Sequence, residues 1–285
     1  MRITPITGTI GAELSGLDLK QPISEDLEQA LRAALDTHLV LVIKDQFLDA
    51  AQHRLLSEVF GKPMVNPYAP GKAPHPEMTH VIKEADDAAG VFGGGWHTDL
   101  SFFDQPPNGS VLCALEVPPF GGDTLFSNQQ AAWDGLAAPL REILNERKLI
   151  HVGKPYGIKW APPIEEQSMK GSSLRNDPDA DRERFHPAVL THPVTNRRAL
   201  YLNPTYTLRL EVEEGFSTVT ATGTESLNTP LLSQNHRLPV WQPNLCGLPG
   251  PSFFTNMYSA RNPAPKRQRH GTMISPTTVS MDVRT

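Results

Sequence analysis

The sequence predicts an α+β fold, a strand-rich and loop-rich body flanked by a few helices. Two observations carry this. Twenty-seven prolines in 285 residues interrupt the chain too often for a helical bundle. Short apolar or β-prone runs recur along the chain, whereas helical spacing is confined to a few segments. The length admits one large domain or two small ones. Residues 1–285 are read as a single domain.

In chain order, residues 6–19 hold short β-prone runs broken by glycines, which predicts strand, turn, strand. Ser24 is the expected cap of a helix with Leu27, Ala30, Leu31, Ala34 and Leu35 at helical spacing. The run Leu39-Val40-Leu41-Val42-Ile43 predicts a buried strand. A second helix is expected from about Ala50 to Phe60, stopping at Gly61. Residues 62–91 read as a long loop with a strand near 78–82, and long loops in compact domains are often functional. Val111 to Val117 predicts a buried strand, with Cys113 as a small apolar filler. Residues 131–149 read as helix, and Leu149 to Val152 as strand. Residues 154–185 read as a polar insertion over the pocket. Residues 192–204 read as a hairpin turning at Thr195-Asn196. His38, His53 and His192 read as structural, His75 and His80 as surface or loop residues, and His151 and His186 as weak ligand candidates.

The chemistry concentrates in Gly94-Gly95-Trp96-His97-Thr98-Asp99-Leu100-Ser101-Phe102-Phe103. Polar and bulky residues alternate there in the rhythm of a strand, so His97 and Asp99 are expected to project from one face. One imidazole nitrogen and one carboxylate make two thirds of the 2-His-1-carboxylate triad that holds Fe(II). The same triplet also occurs as a solvated loop or a simple hydrogen-bonded pair.

Further on come Pro118-Pro119-Phe120-Gly121-Gly122-Asp123-Thr124 and Ala131-Ala132-Trp133-Asp134-Gly135-Leu136. With the Trp-His-x-Asp motif these resemble the taurine dioxygenase and 2,4-dichlorophenoxyacetate dioxygenase family, over roughly residues 1–210. The resemblance implies a double-stranded β-helix (a cupin-like jelly-roll barrel) with flanking helices. It implies iron on His97 and Asp99, and 2-oxoglutarate as cosubstrate on Thr124. It places Asn66 and Tyr68 at the substrate pocket, where taurine-specific members carry a histidine near position 66. Hydroxylation of a small organic acid follows, of the sulfonate, sulfate ester or aryloxy acid type.

The tail departs from that pattern. Trp241-Gln242-Pro243-Asn244 resembles the entry to the family's closing signature, but Phe254 and Thr255 stand where its histidine ligand belongs. His236 is too early and His270 too late. Lys266-Arg267-Gln268-Arg269 resembles the terminal arginine segment, so Arg267 or Arg269 is the candidate fork for the 2-oxoglutarate carboxylate. From about residue 212 the pattern follows neither period, as an out-of-frame segment would, and irregular or missing closing strands are expected. The alternative reading is therefore an impaired or inactive relative acting as a binding protein. A zinc hydrolase would use similar ligands, but nothing in the Gly-Gly-Asp-Thr turn favours one.

Composition excludes other classes. No apolar run approaches a membrane span, and no basic stripe predicts nucleic-acid binding. The opening Met1-Arg2-Ile3-Thr4-Pro5 lacks the apolar core of a secretory signal. Two cysteines, Cys113 and Cys246, argue against a disulfide scaffold and for a reducing cytoplasm. Association into a homo-oligomer is left open.

Overall fold

The structure, a computed structural model, describes residues 1–82, 93–116, 123–161 and 174–211, and the backbone of three later strands. The chain opens with an antiparallel hairpin of β1 (Arg2–Pro5) and β2 (Ala12–Ser15). The first strand lies earlier than the sequence suggests. The Thr7 hydroxyl bonds to both the N–H and the carbonyl of Ile10, and Gly11 has a φ of 87°, so this β-prone run is a turn.

Helix α1 (Glu25–His38) begins as expected at Ser24, whose side chain accepts from the Leu27 N–H, and it buries Leu31, Ala34 and Leu35. Leu39 caps its end in the left-handed conformation, so β3 starts later, at Leu41–Lys44. Helix α2 (Ala50–Glu58) starts with a reciprocal capping box between Asp49 and Gln52. His53 is structural, its Nε2 lying 3.0 Å from the Val111 carbonyl. Leu31, Leu41, Ile43 and Leu56 are almost wholly buried with Ala12, Leu14 and Val111 in one core. Each such large side chain contributes about 1.5–3 kcal/mol.

β4 (Thr79–Ile82) and β5 (Ser110–Glu116) lie close to their expected places, with Cys113 buried. His80 lies within β4, where the strand near 78–82 is expected. β6 (Asp123–Leu125) leads into α3 (Gln129–Gly135), capped by Asn128. The helix expected over 131–149 is broken, and α4 (Ala138–Asn145) starts afresh with Pro139 in its first turn. Proline cannot donate to the preceding turn and disfavours helical backbone just before it.

β7 (Lys148–His151), β8 (Arg184–Pro187), β9 (Val189–Thr191), β10 (Arg198–Leu200) and β11 (Thr207–Leu210) follow. β9 and β10 form the expected hairpin, with Asn196 in the left-handed region. The described part of the 154–185 insertion is docked. Arg175 N–H donates to the Tyr68 carbonyl, and Asp177 N–H donates to that of Tyr156. The last strands are β12 (Met257–Ser259), β13 (Gly271–Ser275) and β14 (Met281–Arg284).

The main sheet has seven strands in the order β1-β2-β3-β13-β5-β14-β4. A second sheet runs β11-β7-β8, and β6 pairs with β12. The expectation of missing closing strands is corrected for these segments, because β13 and β14 pair on both sides. Backbone pairing asks only for extended chain, which does not need the alternating side-chain pattern that 212–285 lacks. Among the described residues the sheets do not close into a barrel.

Candidate metal centre

His97 and Asp99 converge, but not on a strand. Residues 96–98 are irregular, and Asp99 and Leu100 form a turn in which Leu100 has a φ of 49°. Ser101 N–H donates to the Thr98 carbonyl at 3.2 Å, and Phe103 N–H to that of Leu100 at 2.9 Å. Left-handed backbone costs a branched residue about 1–2 kcal/mol and is found where surroundings over-determine it.

His97 Nε2 lies 2.8 Å from Asp99 Oδ1, both side chains being almost fully buried. That is closer than the 3–4 Å expected for two ligands of one ion. One imidazole nitrogen and one carboxylate oxygen brought together in this way are donors that would suit two positions of a facial triad. His97 Nδ1 lies 2.7 Å from the Gly95 carbonyl and donates its hydrogen there, which turns Nε2 toward Asp99.

Burial alone disfavours a charged imidazole, but the hydrogen bond and charge of Asp99 outweigh it and raise the His97 pKa. Burial also raises the Asp99 carboxyl above its ordinary value, against the opposing pull of His97. The Tyr206 ring stands edge-on to His97, centroids 6.1 Å apart. Its hydroxyl bonds to that of Tyr156, which burial pushes up to about 12.

The other expected residues come from separate parts of the chain. Thr124 lies half-buried in β6, opposite Tyr258. Asn66 is buried and lines a cavity of about 110 Å³ with Arg54, Leu100 and Ser110. Tyr68 is buried against Phe102, Phe103 and Tyr156, and its hydroxyl donates to Asp179 at 3.1 Å. His151 joins a buried network, its Nδ1 2.9 Å from Ser101 Oγ, and His186 packs edge-on to it. Gly121, Gly122, His236, Phe254, Thr255, Arg267, Arg269 and His270 lie outside the described residues. Among the described residues no third His, Cys, Asp or Glu joins the pair as a metal group.

Sequence reasoning missed Asn203, Thr205 and Tyr206. The Asn203-Pro204-Thr205 run signals a turn, but no local signal names partners about a hundred positions earlier.

Comparison with known proteins places the chain in a family. Residues 2–225 match the model of the taurine catabolism dioxygenase TauD, TfdA family. The chain is 29% identical over 201 residues to the alpha-ketoglutarate-dependent sulfate ester dioxygenase of Pseudomonas putida, covering 70% of this chain and 65% of that protein. It is 30% identical over 204 residues to an alkylsulfatase of Acinetobacter baylyi, covering 71% and 62%. These matches span less than two thirds of the length of either relative. In fold it resembles a taurine dioxygenase from Burkholderia xenovorans, with a TM-score of 0.62, 21% identity, and coverage of 97% of this chain and 89% of that one. It also resembles AAD-2, solved with Mn(II) and N-oxalylglycine, with a TM-score of 0.60, 21% identity, and coverage of 96% and 87%. A family match across more than half the chain makes this chain a member of the TauD/TfdA dioxygenase family.

Proposed function

We propose that this chain is an Fe(II)- and 2-oxoglutarate-dependent dioxygenase that hydroxylates a small organic acid of the sulfonate, sulfate ester or aryloxy acid type. The carrying observation is the buried pair of His97 Nε2 and Asp99 Oδ1 at 2.8 Å. The proposed scaffold is the family's jelly-roll barrel, as one domain, in the cytoplasm.

The donor set fits two positions of a ferrous facial triad, one imidazole nitrogen and one carboxylate oxygen. Iron bound there would supply oxidation of a substrate C–H bond coupled to 2-oxoglutarate decarboxylation. The chain's own part is positional. The Gly95 carbonyl holds the His97 ring with Nε2 turned to Asp99, and burial keeps both donors out of bulk water. Thr124 is assigned to the cosubstrate carboxylate, with Arg267 or Arg269 as its fork. Asn66 and Tyr68 are assigned to the substrate side, where the Asn66 cavity has room for a small acid.

Purified protein with Fe(II), ascorbate and 2-oxoglutarate should release succinate, and a panel of small sulfonates, sulfate esters and aryloxy acids should stimulate it. A chain that binds metal yet releases no succinate with any of them would sink the dioxygenase reading. It would favour the second one, an impaired relative acting as a binding protein. That reading draws on the end of the family match at residue 225, ahead of the place where the closing ligand is expected.

A further inference from the structure

We infer that the turn at 203–207 is a clamp that sets the geometry of the His97–Asp99 pair, with Asn203 and Thr205 as its positioning residues. This rests on the metal-site reading above. Three members of the turn meet the motif before, at and after the pair. Thr205 Oγ1 donates to the Trp96 carbonyl at 2.8 Å, one residue before His97. The Tyr206 ring stands against His97 itself, at 84°. Asn203 Nδ2 donates to Ser101 Oγ at 3.0 Å, two residues after Asp99.

The clamp is itself held firmly. Asn203 is fully buried, its Oδ1 accepts from Tyr206 N–H at 2.8 Å, and its own N–H donates to Thr207 Oγ1 at 3.1 Å. Val152 N–H donates to the Tyr206 carbonyl, and Lys154 Nζ to that of Thr207, both at 2.9 Å, tying the turn to the end of β7.

The metal turn needs such a hold. Leu100 sits in a left-handed conformation, of the kind found where surrounding contacts over-determine the backbone. The fit is close. A Cβ on Gly95 would come within 3.1 Å of Thr205 Oγ1, and it is the Gly95 carbonyl that orients the His97 ring. Thr205 thus fixes the peptide next to the one that sets which imidazole nitrogen faces Asp99.

The experiment is Mn(II) binding to the full chain, followed by electron paramagnetic resonance, with thermal unfolding of each variant as the control. Thr205→Val keeps the branched, half-buried side chain but removes the donor. It should weaken Mn(II) binding about 10–100-fold, the usual effect of losing a group that orients a ligand, with little change in melting temperature. Thr205→Ser should restore binding, and Asn203→Ala should weaken it further. Unchanged binding in Thr205→Val, or failure of Thr205→Ser to restore it, would overturn the clamp. Histidine-ring nitrogen NMR of the metal-free chain gives a second readout, with the His97 signal identified by its loss in His97→Gln. Thr205→Val should shift that signal, and an unshifted one would also overturn the clamp. A wild-type chain that takes up no Mn(II) would instead overturn the metal-site reading, and the NMR comparison would still decide the clamp.

Discussion

His151 on β7 reaches Ser101 in the turn that follows the His97–Asp99 pair, Nδ1 to Oγ at 2.9 Å, while its ring stacks on Tyr201 with centroids 5.3 Å apart. The imidazole is fully buried, and burial, helped by the nearby charges of His186 and Lys154, lowers its pKa to about 3. The unfolded chain binds that proton near the ordinary value of about 6.5. A folded pKa below the unfolded one gives stability that is fully present above pH 6.5 and lost as pH falls toward 3. The urea midpoint should therefore decline from about pH 6 downward. His151→Gln should flatten the part above pH 4.5, where Asp179 and Glu183, whose ion pairs hold their pKa values down, have yet to titrate. An equally steep decline in that variant would assign the effect elsewhere.

Thr124→Val should raise the 2-oxoglutarate concentration needed for half-maximal succinate release about tenfold. That corresponds to losing one hydrogen bond to a charged group, about 1.5 kcal/mol. The requirement for the organic acid should change less. An equal rise in both would point to general damage around β6.

Gly153 lies under the aromatic cluster, where an added Cβ would come within 2.5 Å of the Phe102 ring. Phe102 is fully buried between Tyr68, Tyr156 and Tyr206, so the ring has little room to retreat. Gly153→Ala should cost about 1–3 kcal/mol in chemical denaturation, as overpacking does. A variant as stable as wild type would show that the cluster can shift.

Asp49 starts α2 with a two-way cap, its carboxylate accepting from Gln52 N–H at 2.8 Å. Asp49→Ala should destabilise the chain by about 1 kcal/mol with an unchanged denaturant slope. Asp49→Asn should recover most of that loss, because it keeps the acceptor.

The sequence made the convergence of His97 and Asp99 legible for a partly mistaken reason. Alternation suggested a strand, yet a turn with Leu100 in left-handed backbone brings the two side chains closer than strand spacing would. Local signals served well where the physics is local: the Ser24 cap, the Asn196 turn and the strand that buries Leu41 and Ile43. They failed at Thr7 and Pro139, where a hydroxyl and a missing N–H overrode propensity. They had no purchase on Asn203 and Thr205, whose partners Ser101 and Trp96 lie 102 and 109 positions away.

Strand order also dictates when this protein can finish folding. β13, from residues 271–275, sits between β3 at 41–44 and β5 at 110–116. While the chain is being made, those two strands therefore wait with unpaired edges until residues 271–275 have left the ribosome. Unpaired edges are templates for the wrong partner, and closure over such long separations is slow. Synthesis rate and chaperone supply, more than equilibrium stability, should govern how much intact protein a cell recovers.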